Sequence, residues 1–193
     1  MALRIESGLS VQRSFIKDVF DIDVSVYSAE LCGKIENLYK RYDFCPDSFV
    51  LIYDGDLLVG YMNMFPIGDT LFRQLNDPTY FGMRDDDIEP TEMAEWRKDK
   101  ENHLFIISIA IIPAYRGGEA IKLLGRATLD FLRRKDAEGY TVGSIAGAAI
   151  STGGENFLKR FGGRFIKELE DGYKYYLADC ESIRSVIKGG LIL

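Results

Sequence analysis

Residues 104–124 read LFIISIAIIPAYRGGEAIKLL. The first part, LFIISIAII (104–112), is almost wholly apolar, as expected of a strand that is covered on both faces of a sheet. Pro113 ends this run, because proline cannot donate a hydrogen bond to a strand ladder. From Gly118 onward the apolar residues recur at helical spacing, beginning with Ala120, Ile121 and Leu124. The stretch therefore predicts a buried strand joined to a helix through a glycine-rich turn.

The turn itself has the composition of an anion-binding site. The first N–H groups of a helix have no intrahelical partner and lie at the positive end of its dipole. Gly117 and Gly118 allow a phosphate to approach the backbone closely, and Arg116 adds a positive charge. These residue types predict that the turn binds a phosphate group.

The remaining patterns predict one mixed, mostly antiparallel sheet with helices on both faces, which is an α+β fold. Alternating or apolar runs predict the other strands, at 3–7, 48–54, 57–65, 141–149, 164–169 and 173–179. The turns Asp54–Asp56 and Glu170–Gly172 predict two hairpins. Helical spacing predicts further helices at 11–20 with Ser10 as its N-cap, at 28–42, at 155–161 and in the tail. With 193 residues, we expect a single domain over 1–193.

Residues 67–103 form a long insertion between two predicted strands. We expect Pro66 to end the preceding strand, and Thr91 to cap a short helix that runs to Lys100. Segments of this length are often functional, as a lid or a wall of a substrate site. A decoration that does nothing but pack is an equally good interpretation.

The strand–turn–helix junction resembles the GNAT acetyltransferase superfamily, in which the fourth strand leads through V-x-P-x-[YF]-R-G-x-G-x-[GA] into a helix. Residues 110–117, AIIPAYRG, match the front half of that motif. With one residue deleted, Gly118 and Ala120 occupy its later small-residue positions, whereas an ungapped alignment puts Glu119 and Ile121 there. The gapped alignment is preferred, because small residues are needed where phosphate meets backbone. The order of predicted elements extends the resemblance over most of residues 1–180.

The resemblance implies the three-layer GNAT fold and direct transfer of an acetyl group from acetyl-CoA to an amine of a small molecule or protein. It implies no metal. The pantetheine arm is expected along the backbone of Ile109, Ala110 and Ile111, and the pyrophosphate on the turn. The residues expected at the pyrophosphate are Arg116, Gly117, Gly118, Glu119, Ala120 and Ile121, with Asn156 as a further CoA contact. The acceptor amine is expected on the side of residues 67–103.

The catalytic residues stay unassigned at this stage. Many relatives carry an acidic Tyr after the fifth strand, but the same spacing here gives Leu158, with Ser151 at the position of a preceding Asn. The predicted fourth strand has no carboxylate, and Ser108 is its one hydroxyl. Candidate bases are Glu92, Glu95 and Glu101, and the final-hairpin tyrosines that we expect to pack rather than act as the acid are Tyr173, Tyr175 and Tyr176.

Composition narrows the class of partner. The formal net charge is −6 and there is no basic stripe, which disfavours nucleic acid. An acidic surface favours cationic amines, although solubility explains it equally well. Three widely spaced cysteines and one His disfavour a disulfide framework or a metal centre. No apolar run approaches the ~20 residues that span a bilayer, and MALRIESGLS lacks signal-peptide features, so we expect a cytoplasmic protein that binds no membrane.

Two other functions stay open. The missing Tyr favours a catalytically silent GNAT-fold module that binds an acyl-CoA as a sensor or interaction domain. The turn alone is also compatible with a nucleotide-binding protein. Homodimerisation and the identity of the acceptor are left open as well.

Overall fold

The structure, a computed structural model, describes residues 2–83, 87–170 and 172–190. Within these residues the chain forms seven strands and six α-helices. The strands are β1 (Leu3–Ser7), β2 (Phe49–Asp54), β3 (Leu57–Ile67), β4 (Glu101–Ile111), β5 (Thr141–Ala149), β6 (Arg164–Glu168) and β7 (Lys174–Asp179). The helices are α1 (Phe15–Val26), α2 (Ile35–Phe44), α3 (Asp69–Asn76), α4 (Glu119–Ala137), α5 (Thr152–Arg160) and α6 (Cys180–Gly189).

The strands form one mixed sheet in the order β1-β2-β3-β4-β5-β7-β6. The pairs β1–β2, β2–β3, β5–β7 and β6–β7 are antiparallel, whereas β4 and β5 are parallel. A parallel pair needs a long crossover connection, and α4 provides it. The predicted α+β class with a mostly antiparallel sheet is confirmed.

The chain divides into two compact units by its internal contacts. The first lies within residues 1–64, 84–91 and 108–128, and the second within 65–83, 92–107 and 129–193. The boundaries fall inside β3, β4 and α4. A single domain over residues 1–193 stays a prediction.

In the first unit, helices cover both faces of the sheet. One face of β2 and β3 packs against α1 and α2 in a cluster that includes Phe15, Ile16, Val19, Ile22, Leu38, Phe49, Leu51 and Tyr61. The next residue along β3, Met62, faces the other way, and its Sδ lies 3.6 Å from Oγ1 of Thr128 on α4. Since successive strand residues point to opposite faces, α1 and α4 lie on opposite sides of the sheet, as predicted.

The first two helices begin and end later than predicted. α1 begins at Phe15 rather than Val11, because Ser10 donates its amide to the Ser7 carbonyl (2.8 Å) in a turn that follows β1. Ser14 is at the N-cap, not Ser10, and its side chain makes no cap hydrogen bond. α2 begins at Ile35, because residues 29–31 form a turn in which Leu31 donates its amide to the Ser28 carbonyl (2.9 Å), and Gly33, a poor helix former, lies in the non-helical stretch that follows.

The insertion at 67–103 differs from its prediction in three ways. β3 continues through Pro66 to Ile67, because the Pro66 carbonyl accepts a hydrogen bond from Ala94 (2.8 Å) and the missing N–H is not needed there. A helix forms at α3, but not at Thr91–Lys100, where a 3-10 turn at Pro90–Glu92 leads into extended backbone bridged to Ile67. Several of its side chains are buried in the core: Leu71, Leu75, Met83, Ile88 and Met93.

The part of the second unit from β5 onward follows its prediction closely. β5 spans Thr141–Ala149 as predicted, and β6 and β7 form the final hairpin. α5 begins at Thr152, because the Ser151 hydroxyl accepts a hydrogen bond from the Gly154 amide (3.2 Å). Among the described helices, none is long and apolar enough to cross a membrane.

The close approach of β3 to β4 gives a test of the fold. A Cβ added at Gly60 would lie 2.9 Å from the Ala110 carbonyl oxygen and 2.9 Å from Ile111 Cγ1. Gly60→Ala should therefore lower the free energy of unfolding by about 1–3 kcal/mol, measured by urea denaturation. Gly189→Ala is the control, since a Cβ there meets nothing within 4 Å. Equal stability of both variants would show that the two strands are not so tightly packed.

Candidate functional site

The second half of β4 extends beyond its pairing with β5. The ladder with β5 runs from Glu101 to Ile106, whereas β4 continues to Ile111. The Ile112 amide donates to the Val59 carbonyl on β3 (3.0 Å). Because the backbone groups of successive residues alternate between the two sides of a strand, those of Ile109 and Ile111 point to the edge away from β3. Such an edge can take an extended ligand as an additional strand.

Two side chains already donate to this edge. The Tyr27 hydroxyl donates to the Ile109 carbonyl (2.8 Å), and Arg116 Nε donates to the Ile111 carbonyl (2.9 Å). Each carbonyl oxygen has two lone pairs, so a ligand N–H can share it with the side chain. The amides of the same two residues lie on the same edge and supply donors.

The predicted phosphate-binding turn is open to solvent. A 3-10 turn at Pro113–Tyr115 follows β4, and the Tyr115 hydroxyl donates to Asp54 Oδ2 (2.8 Å). Gly117 has φ +71°, a left-handed conformation that favours glycine. A Cβ added at Gly117 or Gly118 would meet nothing within 4 Å. A ligand atom can therefore contact this backbone directly.

α4 begins at Glu119, immediately after these glycines. Its first amides have no intrahelical acceptor, and its dipole is positive at this end. The Glu119 carboxylate lies 3.6 Å from Arg126 Nη1, a basic residue two turns further along α4, which balances its charge. Ala120 is buried, so it contributes backbone rather than side chain to the open surface, whereas the Ile121 side chain is half-buried. Residues 116–121 are thus brought together as one surface.

The other predicted CoA contact, Asn156, lies exposed on α5 in the second unit. Its role stays a prediction. Leu158 on the same helix is buried, with Cδ2 3.3 Å from the position of a Cβ at Gly147. An apolar side chain packed on the sheet cannot supply the proton that a Tyr supplies.

The tyrosines of the final hairpin have structural partners. The Tyr175 hydroxyl donates to Asn76 Oδ1 (3.4 Å), and the Tyr176 hydroxyl donates to Glu155 Oε2 (2.7 Å) on α5. The two rings therefore lie on opposite faces of β7, as their alternation predicts.

The candidate bases also lie in the second unit. Glu95 and Glu101 are exposed and Glu92 is half-buried. Because β4 begins at Glu101, this strand does carry a carboxylate, contrary to the prediction from its apolar core. The side chain of Ser108, by contrast, belongs to the first unit.

Ser108 is one member of a partly buried chain of polar side chains that the sequence did not predict. Its Oγ lies 3.0 Å from the Tyr27 hydroxyl and 2.7 Å from the Tyr61 hydroxyl. Tyr61 donates in turn to the Asp23 carboxylate. Asp23 and Tyr61 are buried, whereas Tyr27 and Ser108 are half-buried. The chain therefore runs from the core of the first unit to the edge of β4.

Burial raises the pKa of both tyrosines, and the neighbouring Asp23 raises it further, although Arg116 opposes the shift at Tyr27. Both hydroxyls consequently keep their protons near neutral pH. The sequence does contain a sign of this chain of polar side chains. Asp23 follows Ile16 and Val19 on the buried face of α1, where a carboxylate needs a hydrogen-bond partner.

No family model and no curated protein matches the sequence. The loading GNATL domain of CurA from Lyngbya majuscula is similar in structure, with TM-score 0.69, 12% identity, and coverage of 94% of this chain and 99% of that one. A GphF GNAT-like decarboxylase in complex with isobutyryl-CoA gives TM-score 0.67, 14% identity, and coverage of 92% and 99%.

The ribosomal-protein-S18-alanine N-acetyltransferase from Escherichia coli is also similar, with TM-score 0.58, 8% identity, and coverage of 93% and 94%. The chain therefore has the GNAT fold, and the resemblance noted in the sequence is confirmed at the level of fold. Of these three neighbours, one is an N-acetyltransferase and one is a GNAT-like decarboxylase in complex with an acyl-CoA.

The ion pairs at α5 give a prediction about pH. The pKa of Glu155 falls from its ordinary 4.5 to about 2, first because Lys174 Nζ bonds its carboxylate (2.8 Å) and then because Tyr176 does. Lys174→Met should raise this pKa more than Lys159→Met, since Lys159 lies further away at 3.3 Å. An NMR titration of the Glu155 side chain measures both.

A carboxylate with a depressed pKa stabilises the fold above its unfolded pKa and loses that contribution as pH falls toward the folded value. The stabilisation by Glu155 should therefore be complete above pH ~4.5 and disappear toward pH 2. Equal pKa values in the two variants would contradict the order of the contributions.

Proposed function

We propose that the protein binds acetyl-CoA and transfers the acetyl group directly to an amine of a small molecule or protein. The observation that carries the proposal is the open Gly117–Gly118 turn at the start of α4, directly after a β4 edge that can hold an extended ligand. The GNAT fold supports it.

The hydrogen-bond donors of the turn have to attract CoA against the negative net charge of the protein. With a formal net charge of −6, the protein as a whole repels the anionic CoA. The amides of Gly117 to Ile121 and the Arg116 guanidinium supply the local attraction, and a helix dipole stabilises an anion by about 0.3–1 kcal/mol. The same net charge attracts a cationic acceptor. Residues 67–103 remain our predicted acceptor side.

Direct transfer needs few catalytic groups from the protein. The thiolate of CoA is a fair leaving group, since thiols ionise near pH ~8.5. The acceptor ammonium must lose a proton before its nitrogen can attack. The Tyr27 hydroxyl, which contacts Ser108 Oγ, donates to the Ile109 carbonyl, where the reactive end of a pantetheine arm along β4 would lie.

Gly118→Asp tests the binding of CoA. A carboxylate in the turn should repel the pyrophosphate and raise the calorimetric Kd for CoA at least tenfold, or ~1.4 kcal/mol. The open space around Gly118 makes the fold tolerant of the change. Gly189→Asp introduces the same charge at an exposed, equally open position and should leave Kd unchanged. Equal Kd values in the two variants would exclude the turn as the pyrophosphate site.

Thiol release tests the reaction. We expect release from acetyl-CoA with at least one member of a panel of primary amines, polyamines and peptides with free N-termini. CoA binding without any release would instead favour the silent acyl-CoA-binding module. Because one similar structure is a GNAT-like decarboxylase, a carboxylated acyl-CoA is included, and CO₂ release from it would contradict acetyl transfer.

A further inference from the structure

The Arg116 side chain bonds to the edge of β4 rather than to the turn that follows the strand. The sequence predicts Arg116 at the pyrophosphate, yet its Nε donates to the carbonyl of Ile111 (2.9 Å), which precedes it in the chain. Among the described residues, this is the only hydrogen bond that the Arg116 side chain makes. A single polar contact with the backbone therefore holds the guanidinium group at the edge.

This contact lies at the position that the proposed ligand needs. The pantetheine arm is proposed to lie along the edge of β4 away from β3, to which the Ile111 carbonyl points. A strand that adds to a sheet lies about 4.7–4.9 Å from its neighbour. Because Nε is 2.9 Å from the carbonyl oxygen, the guanidinium group occupies part of that space. The second lone pair of the oxygen can take a ligand N–H, but the ligand chain itself needs the guanidinium group to move aside.

Arg116 is the side chain that can leave this edge. It is exposed to solvent, so packing does not fix it. Tyr27, the other donor to the edge, is half-buried at the end of α1 and contacts both Ser108 Oγ (3.0 Å) and the Ile109 carbonyl (2.8 Å). Exposed side chains change rotamer rapidly, whereas a packed tyrosine with two partners keeps its position.

The turn after β4 offers the guanidinium group a stronger partner once a phosphate binds there. Arg116 directly precedes Gly117 and Gly118, whose open backbone leads into α4. A guanidinium group bonds phosphate oxygens in pairs, and such charged hydrogen bonds are roughly twice as strong as neutral ones. A phosphate on the turn therefore competes successfully with the single bond to the Ile111 carbonyl.

We propose that Arg116 is a gating residue, which keeps the pantetheine position on β4 closed until a phosphate group binds the turn. The phosphate draws the guanidinium group away from Ile111, and the pantetheine arm then adds to the free edge. The site consequently selects pantetheine compounds that carry phosphate, such as CoA, over pantetheine itself. This inference rests on the proposed binding of CoA and names the residue that makes the phosphate necessary.

Arg116→Met separates the two roles of the guanidinium group, because it removes all the N–H donors from a long side chain. It should raise the Kd for CoA by about tenfold or more, since the phosphate loses its charged partner. It should lower the Kd for pantetheine by about three- to tenfold, since the bond to Ile111 no longer opposes binding. Both values are measured by NMR titration. An unchanged or raised Kd for pantetheine would overturn the proposal.

Arg126→Met is the matched control. Arg126 lies two turns further along α4 and pairs with Glu119 (3.6 Å), so the same substitution removes the same charge at a position away from Ile111. Its Kd for pantetheine should equal that of the wild type. An equal decrease of this Kd in both variants would show that the net charge, and not the gate, governs pantetheine binding.

Inorganic pyrophosphate tests the gate without any pantetheine. The carbonyl ¹³C resonance of Ile111 moves upfield when its hydrogen bond is lost, and Arg116→Met gives its position in the open state. Saturating pyrophosphate should shift the Gly118 amide and move the wild-type Ile111 resonance toward the open position. A shifted Gly118 amide with an unmoved Ile111 resonance would overturn the gate alone. If the Gly118 amide does not respond either, the turn binds no phosphate, and the proposed CoA site fails together with the gate.

Discussion

The backbone of β4 beyond Ile106 is the constraint on which the rest of the candidate site depends. Up to that residue the strand is paired with β5, and beyond it the carbonyls of Ile109 and Ile111 take hydrogen bonds from Tyr27 and Arg116 instead. A buried carbonyl without a donor is costly, so these two side chains hold the edge in an extended form. The same contacts place a hydroxyl and a guanidinium beside the position where a ligand would add.

The core of the first unit fixes the position of this edge of β4. α1 packs its apolar face on β2 and β3; its last turn carries Asp23, and Tyr27 is the C-cap residue that follows it. Gly60 lets β3 approach β4 closely, which brings Tyr61 within 2.7 Å of Ser108. Polar groups in such a core are favourable only when they are hydrogen-bonded, so the chain from Asp23 to Ile109 ties α1, β3 and β4 together.

Much of the fold could be predicted from periodicity, and the errors have identifiable causes. β5 and the strand–turn–helix at β4 were predicted because one residue pattern dominated each of them. α1 and α2 were misplaced because the turns at Ser10 and at residues 29–31 compete with helical spacing. The predicted helix at 91–100 is absent because Met93 and Ala94 pair with the end of β3, a contact between distant residues that no local propensity contains.

The sequence by itself determined the glycine-rich turn that we predict to bind phosphate, because Arg116, Gly117 and Gly118 are adjacent in the chain and form it through local backbone geometry. It also put Leu158, an apolar residue, at the position where the resemblance leads us to expect an acidic Tyr. Only the tertiary structure decided that Asp23, Tyr27, Tyr61 and Ser108 form one polar chain. These residues come from three elements, and they meet because side-chain packing, not sequence spacing, sets the distance between α1 and the sheet.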